Sequence, residues 1–338
     1  MSGYVTVSIG SGLVDSIYGN CQVPIKSFLE KQGEAFEQES LLKHLFRMQN
    51  SNHWAEAYGG ETAMENFLPV GEGGSYPTTG FQEGYKQTIE NEEWKQSFSV
   101  TQTLVEDKQL GTMKNRANKL ITAYHRTREQ FGRMIYAGAL SGTSVKIGGK
   151  TFKTTGADGK ALFAKDHANK VDKKTQSNLY AGEFSEEALD AVETNMQNTK
   201  GDNGQLLAIA PDTIWIPNDA ALKRKVFEVI GADKDPYTSN NGFNYQYGRW
   251  NVIVDPYLTM ALAQLKITDK PWILLDSKFI QDNDGAVFQN RVNLQVRSEI
   301  DPNNDNNVWK GRARFSAGFV DWRFAAVGGM TGGTALTE

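Results

Sequence analysis

The sequence predicts an α+β chain organised around one long helix, and three patterns carry that expectation. From Lys108 to Leu140 the residues Leu110, Met113, Ala117, Leu120, Ile121, Tyr124, Phe131, Ile135 and Gly138 recur at steps of three and four, the period of a helix with one apolar stripe. Tyr85 to Thr103, and later Val292 to Val296 and Trp309 to Phe315, alternate apolar with polar residues as half-buried strands do. Between these, from Ser185 to Asp284, strand-like and helix-like segments take turns, which implies a compact mixed α/β lobe.

Taken in order, Met1 to Asn20 is punctuated by Gly and Ser, with a short alternating piece at Val5, Val7 and Ile9, and reads as an extended arm. From Ile25 to Met48, Phe28, Leu29, Phe36, Leu41, Leu42, Leu45 and Phe46 suggest two short amphipathic helices broken near Gly33. A segment rich in Gly and Pro follows Phe67, and Tyr85 to Thr103 continues it as a long polar hairpin with Ile89, Trp94, Phe98, Val100 and Leu104 at the apolar positions. The long helix comes next, with Glu106 and Asp107 at its positive end and Gly142 as a stop. At 1.5 Å per residue it would be about 50 Å long.

After it, Ser144 to Ile147 and Lys150 to Lys153 are short strands. Ser185 caps a helix reaching Thr199, with Glu186 and Glu187 in its first turn. Thr213 to Ile216 is a buried strand, Asn218 caps a helix from Asp219 to Ile230 that ends at Gly231, and Asn251 to Val254 and Trp272 to Asp276 are strands. The two alternating strands at the end pair across the turn Asp301 to Asn307, and Phe319, Trp322 and Phe324 extend the second.

Composition narrows the function. A chain of 338 residues can bury a large core, and 39% hydrophobic with 22% charged residues is ordinary for a globular protein. No apolar run reaches the roughly 20 residues that span a bilayer, and the N-terminus lacks the basic segment and apolar block of a signal peptide. A single cysteine, Cys21, excludes an internal disulfide framework and suits a reducing compartment. The net charge of -4 argues against a dedicated nucleic-acid binder while permitting local basic faces.

Such a face falls on the long helix. Lys108, Lys114, Arg116, Lys119, Arg126, Arg128 and Arg133 stand against one acid, Glu129. The hairpin upstream has the opposite sign: from Val70 to Asp107 there are seven acids, among them Glu72, Glu83, Glu92 and Glu93, against Lys86 and Lys95. A long polar hairpin has no core of its own and needs something to lie on. Opposite charges predict that one subunit's hairpin lies across another subunit's helix. Trp94, placed on that thin hairpin, is then expected at an intersubunit contact, whereas Trp215, Trp250, Trp272, Trp309 and Trp322 at strand positions are expected in the core.

Catalytic signals are sparse. His44, His53, His125, His167 and one cysteine supply a zinc site or a Cys/His nucleophile poorly, so no metal, cofactor or catalytic residue is assigned. Asp166 and His167 read as a satisfied loop pair. Gly148, Gly149, Lys150, Thr151 imitates the end of a phosphate-binding loop, but Ser144 stands where the pattern needs glycine and no helix follows, so it reads as a turn. Asp282, Asn283, Asp284, Gly285 lacks the spaced acids of a calcium loop and reads as another turn.

This order of elements resembles the phage major capsid proteins of the HK97 fold. The likeness rests on Gly71 to Thr103 as the extended E-loop hairpin, Lys108 to Leu140 as the spine helix, Ser185 to Asp284 as the A-domain, and Gln289 to Gly328 as the returning P-domain strands. A local run, Asp158, Gly159, Lys160, Ala161, Leu162, Phe163 followed by Asp166 and His167, is similar to one in major head subunits of the Mu-like type. The resemblance implies an N-terminal arm over 1–66, an E-loop over 67–107, a P-domain over 108–184 with the spine at 108–140, an A-domain over 185–287, and closing P-domain strands over 288–338.

It further implies a structural, non-enzymatic subunit of the virion, assembled in the host cytoplasm. Its partners would be copies of itself in hexamers and pentamers, scaffold, portal and decoration proteins, and packaged double-stranded DNA, with no membrane. A separate scaffold is expected because no long charged helical prefix precedes the hairpin. In this reading Glu72, Glu83, Lys86, Glu92, Glu93, Trp94 and Lys95 make intersubunit contacts, and Lys114, Arg116, Lys119, Arg126, Arg128 and Arg133 face a neighbour or DNA. Two alternatives stand beside it: an encapsulin-type nanocompartment shell, and a soluble enzyme with its site in the lobe at 185–284.

Overall fold

The computed structural model describes residues 5–8, 31, 33–61, 67–78, 83–107, 110–171, 173–231, 244–283 and 285–336. The chain opens with strand β1 (Val5–Ser8), helix α1 (33–39), the single turn α2 (Leu42–Leu45) and strand β2 (Arg47–Asn50). Gly33 is itself helical, and the interruption among the described residues falls at Ser40 and Leu41 instead. A helical glycine costs only about 1 kcal/mol. Here Glu37 on the same helix is buried in an ion pair with Arg128, which holds the segment against the spine.

The hairpin pairs β3 (Ala55–Glu61) with β4 (Glu83–Glu90), antiparallel, so it begins upstream of residue 67 and its return strand ends at Glu90. The next strand, β5 (Glu92–Val100), leaves it after one residue and joins a different sheet. Asn91 marks the switch: it is buried, its amide nitrogen donates to Ser51 Oγ at 2.8 Å and His53 O at 3.0 Å, and its backbone N–H donates to Trp54 O. The short helix α3 (Gln102–Glu106) then leads to the spine, α4 (Leu110–Ser141), close to the span its apolar spacing predicts.

Strands β6 (Ser144–Ile147) and β7 (Lys150–Lys153) form the expected hairpin. Gly148 and Gly149, at φ of 58° and 85°, supply the left-handed turn that matches strand twist, so the phosphate-loop look-alike is indeed a turn. Strands β8 (His167–Ala168) and β9 (Thr175–Gln176) form a small ladder before the lobe.

In the lobe, α5 (Glu186–Gln197) is capped by Ser185, whose hydroxyl accepts from Ala188 N at 3.1 Å. It is followed by β10 (Thr213–Pro217), α6 (Ala220–Ile230), β11 (Asn251–Asp255), α7 (Pro256–Gln264), β12 (Trp272–Leu275) and α8 (Ser277–Asp282). The cap of α6 is Asp219, accepting from Leu222 N, and not Asn218, whose side chain instead accepts from Lys223. The lobe sheet runs β11-β10-β12-β15, and its last strand, β15 (Ala325–Gly328), comes from the far end of the chain. Its apolar core joins α5 and α6 to Ile214, Ile216, Trp272 and Leu274.

The two long strands β13 (Ala286–Ile300) and β14 (Asn307–Phe319) pair along their length and centre the largest sheet, ordered β1-β13-β14-β5, with β2 also paired to β13. Beyond Phe319 the chain turns before β15, so Trp322 and Phe324 do not prolong β14. The N-terminal half of the spine packs Met113, Ala117, Leu120 and Ile121 on Leu294, Val296 and Trp309 of this sheet. Its C-terminal half enters a second core with Phe288, Phe315, Phe319, Trp215 and Leu258, where sheet and lobe meet. Each such side chain taken from water stabilises by roughly 1.5–3 kcal/mol.

Candidate assembly surfaces

The arginines of the spine divide by depth. Arg133 is fully buried: Nε donates to Asp255 Oδ2 at 2.7 Å and Nη1 lies 2.5 Å from Glu129 Oε2. Asp255, at the end of β11, also caps α7 through Tyr257 N at 2.8 Å and accepts from Trp215 Nε1 at 3.2 Å. Arg128 is buried too, paired with Glu37, with Nη2 donating to Asn290 Oδ1 at 3.3 Å and the guanidinium 5.2 Å from the Phe288 ring centre. Neither belongs to the outer basic face where helical spacing places it. An arginine can point into a core when it meets a carboxylate there, and here the N-terminal helix and the lobe supply one each.

What remains outside is smaller. Arg116 donates to Ser99 O at 2.6 Å, while Lys119 and Arg126 are exposed; the side chain of Lys114 lies outside the described residues. Beside Arg126, a cleft of about 240 Å³ opens between spine and sheet, lined by Leu120, Tyr124, Leu294, Ala313 and Phe315. His125, on the opposite flank, stacks on Phe36 at 4.9 Å. Burial holds its imidazole down to about 4, because the charged form has no partner there.

The hairpin residues divide as well. Glu72 sits in the exposed tip, Lys86 is exposed on β4, and the side chain of Glu83 lies outside the described residues. Glu92, Glu93, Trp94 and Lys95 are not on the hairpin at all but on β5, in the large sheet. Glu92 pairs with Lys150, and Glu93 with Lys95 at 2.8 Å and with Arg312. Hydrogen bonds from Lys95 and then Arg312 hold the Glu93 carboxyl down to about 2.

Trp94 stacks on Phe315 at 4.9 Å and meets Phe131 edge-on at 5.3 Å, and its Nε1 donates to Phe315 O at 3.1 Å. The premise that placed Trp94 at an intersubunit contact, a thin hairpin without a core, therefore does not hold. Trp215, Trp272, Trp309 and Trp322 are buried as expected, and Trp250 partly so.

The tip between the hairpin strands is the opposite case. Residues 67–78 carry no regular structure beyond a turn in which Gly74 N donates to Gly71 O, and every one is exposed. Phe67 is 100% and Tyr76 93% exposed, with Leu68 and Val70 more than half exposed. Their signal in the sequence is large apolar side chains amid glycines and prolines.

The run Asp158 to His167 is a packed knot. His167 Nδ1 lies 2.6 Å from Asp158 Oδ2, its ring stacks on Trp322 at 4.3 Å, and Leu162 and Phe163 are buried beside it. The partner of His167 is thus Asp158, while Asp166 faces solvent and pairs with Lys160. Arg323 continues the knot with Asp202 at 2.9 Å and Asp321 at 3.0 Å. These groups bind one another and hold the loops beneath the lobe.

An extended hairpin with an apolar tip, a long spine on a sheet of long strands, and a mixed lobe closed by the chain's end define the HK97-like capsid fold. The sequence profile of the phage capsid protein family matches residues 85–328, and the chain belongs to that family. It is a structural capsid protein. Among solved structures it is similar to a chain of Mycobacterium phage Patience, at 11% identity over 98% of this chain and 94% of that one, with a TM-score of 0.52. It is also similar to the bacteriophage JBD30 capsid, at 14% identity over 65% and 91% with a TM-score of 0.49, and to a virus-like particle from Pyrococcus furiosus, at 10% over 90% and 97% with 0.45. No curated protein matches the sequence.

Proposed function

We propose that this chain is the repeating subunit of a phage head. Copies meet by heterologous, head-to-tail contacts that close into hexamers and pentamers of an icosahedral shell around double-stranded DNA. The observation that carries the reading is the tip at 67–78. It holds Phe67, Leu68, Val70 and Tyr76 in solvent on an arm whose strands, among the described residues, pair with each other and no third strand. A lone subunit gains nothing by displaying them, since contiguous exposed apolar residues mark interaction sites. Burial on a neighbour would stabilise the contact by roughly 1.5–3 kcal/mol for each side chain covered. The cleft beside Arg126 offers such a neighbour an apolar floor.

The spine and sheet form the rigid platform on which this contact repeats, and the lobe meets its copies around the ring. Scaffold, portal and decoration proteins complete the particle in the host cytoplasm. Negative-stain electron microscopy of the protein expressed alone, with size-exclusion chromatography, tests the reading. Closed shells or rings of five and six subunits are expected, and Tyr76→Ser with Phe67→Ser should abolish them while leaving the melting temperature of the subunit unchanged. Shells from that double variant indistinguishable from the parent would remove the tip from assembly.

A further inference from the structure

Away from the hairpin, the face of the large sheet turned from the spine is polar, and its cations are set against one another. Arg312 on β14 stands directly opposite Lys95 on β5, and Lys310 stands directly opposite Arg297 on β13. Like charges facing across strands destabilise a sheet. With Arg314, two residues further along β14 and directly opposite Glu93, they make five cations on one side of three adjacent strands. Strand spacing puts neighbours about 4.8 Å apart across the sheet and about 6.8 Å apart along it.

Two carboxylates answer them in part: Glu93 binds Lys95 and Arg312, and Glu299 binds Lys310. Among the described residues no carboxylate pairs with Arg297 or Arg314; β4 covers the Gly318 end of this face, where Ile89 packs on Val287, and leaves the end around Arg297, Lys310 and Arg312 open. Lys95, Arg297, Lys310 and Arg312 border a groove of about 510 Å³ that also takes in Glu299, Ser97 and Gln295. Folding alone gives no reason to oppose two cation pairs on an open face, so the compensating charge comes from elsewhere.

We infer that this face is a sequence-independent contact for the phosphate backbone of duplex DNA. The inference rests on the reading of the chain as a DNA-enclosing shell subunit and moves the DNA contact from the spine helix to the sheet. The occupant follows from charge and shape. Hydrogen-bond donors dominate the groove, the two acids of this face are already paired, and the described part of the hairpin tip offers only Glu72 to a basic surface. A polyphosphate supplies closely spaced anions in a row and asks for no apolar floor.

Binding of a short duplex of arbitrary sequence to the full chain is the measurement, with salt varied. A net of three cations predicts a log-log salt slope of about -2.7, so affinity should fall about 40-fold between about 50 and 200 mM salt. The variant R297E/R314E should bind at least about tenfold more weakly and show a shallower slope, while K146E/K153E, on the β6–β7 hairpin, should bind as the parent does. R297Q/R314Q, with a smaller loss, decides the matter if the reversed variant does not fold.

Duplex binding unchanged in both sheet variants overturns the inference. If binding is unchanged but shells no longer form, the face is instead a contact between copies. Absence of shells from the parent chain would count against the capsid reading, and the subunit's duplex binding would still decide this inference separately.

Discussion

The two halves of the spine helix share a sequence style and differ in what surrounds them. Between residues 112 and 126 one stripe of α4 lies on the sheet and the rest meets solvent, so Lys119 and Arg126 are exposed while Ala117 and Ile121 are fully buried. From Phe131 to Ala139 every residue is buried, because α2, the β6–β7 hairpin and α7 close around the far side. The same residue type therefore does three jobs within eight positions: Arg126 at the surface, Arg128 pinning the N-terminal helix, Arg133 fastening the lobe. The charge of a helix face is set by its neighbours in space, which helical spacing alone does not reveal.

The comparison breaks most sharply at Arg133. Arg133→Ala leaves Asp255 charged and fully buried beside Trp215, and breaking a buried pair of this kind costs about 3–5 kcal/mol. Urea unfolding should show that loss, with Arg128→Ala close behind. An unfolding midpoint within error of the parent would mean that the pair is not formed in solution.

The next effect is a pH dependence, by way of His125. Burial holds this group at about 4 against an ordinary value near 6.5, so the unfolded chain takes up the proton first. Its contribution is complete above about pH 6.5 and is lost as pH falls toward 4, by on the order of 3 kcal/mol. Phe36 and Tyr124 face the ring, and the nearby Glu37–Arg128 pair belongs to the same contact between α1 and the spine. His125→Phe keeps the stacking and should flatten the acid limb of stability measured by urea midpoints across that range. An acid limb identical to the parent's would assign the loss to other groups.

The spine, the β6–β7 hairpin, the Ser185 cap and the strands at 213–217 and 272–275 were all legible, since each depends on local spacing or a local cap. The division between β4 and β5 was not. Alternation runs on from Tyr85 to Val100 and reports that a strand exists without naming its partner. Only the buried Asn91 amide, tied to Ser51 and His53, separates a strand of the projecting hairpin from a strand of the core sheet. Alternation alone therefore puts Trp94 on the hairpin, whereas it lies on β5. Helix α7 carries a local signal of its own, an Asp255 cap followed by Pro256 at the first helical position. The apolar tip carries no periodicity, so its large side chains amid glycines and prolines mark it only by composition.

A smaller effect separates the two halves by packing alone. A Cβ on Gly138 would lie 2.6 Å from Val145 Cβ and 3.0 Å from Thr154 Cγ2, and one on Gly132 would lie 2.5 Å from Leu42 Cδ2. In an exposed helix, replacing Gly by Ala stabilises by about 1 kcal/mol. Here overpacking should reverse the sign, so Gly138→Ala is expected to destabilise by about 1–3 kcal/mol. Thermal melts decide it, and a stabilised Gly138→Ala protein would show that the β6–β7 hairpin yields to the spine.

The smallest change in stability carries the most information about assembly. Arg126 is exposed at the mouth of the apolar cleft, so Arg126→Glu should alter subunit stability by no more than about 0.5 kcal/mol. Arg128→Glu, two residues further on and on the opposite side of the helix, buries a carboxylate against Glu37 and should unfold the same region. Comparing the two separates assembly from folding. A folded Arg126→Glu subunit that yields fewer shells places the exposed half of the spine at a contact between copies. A folded variant that yields normal shells leaves the spine a purely internal beam, with contact duties confined to the hairpin tip and the lobe.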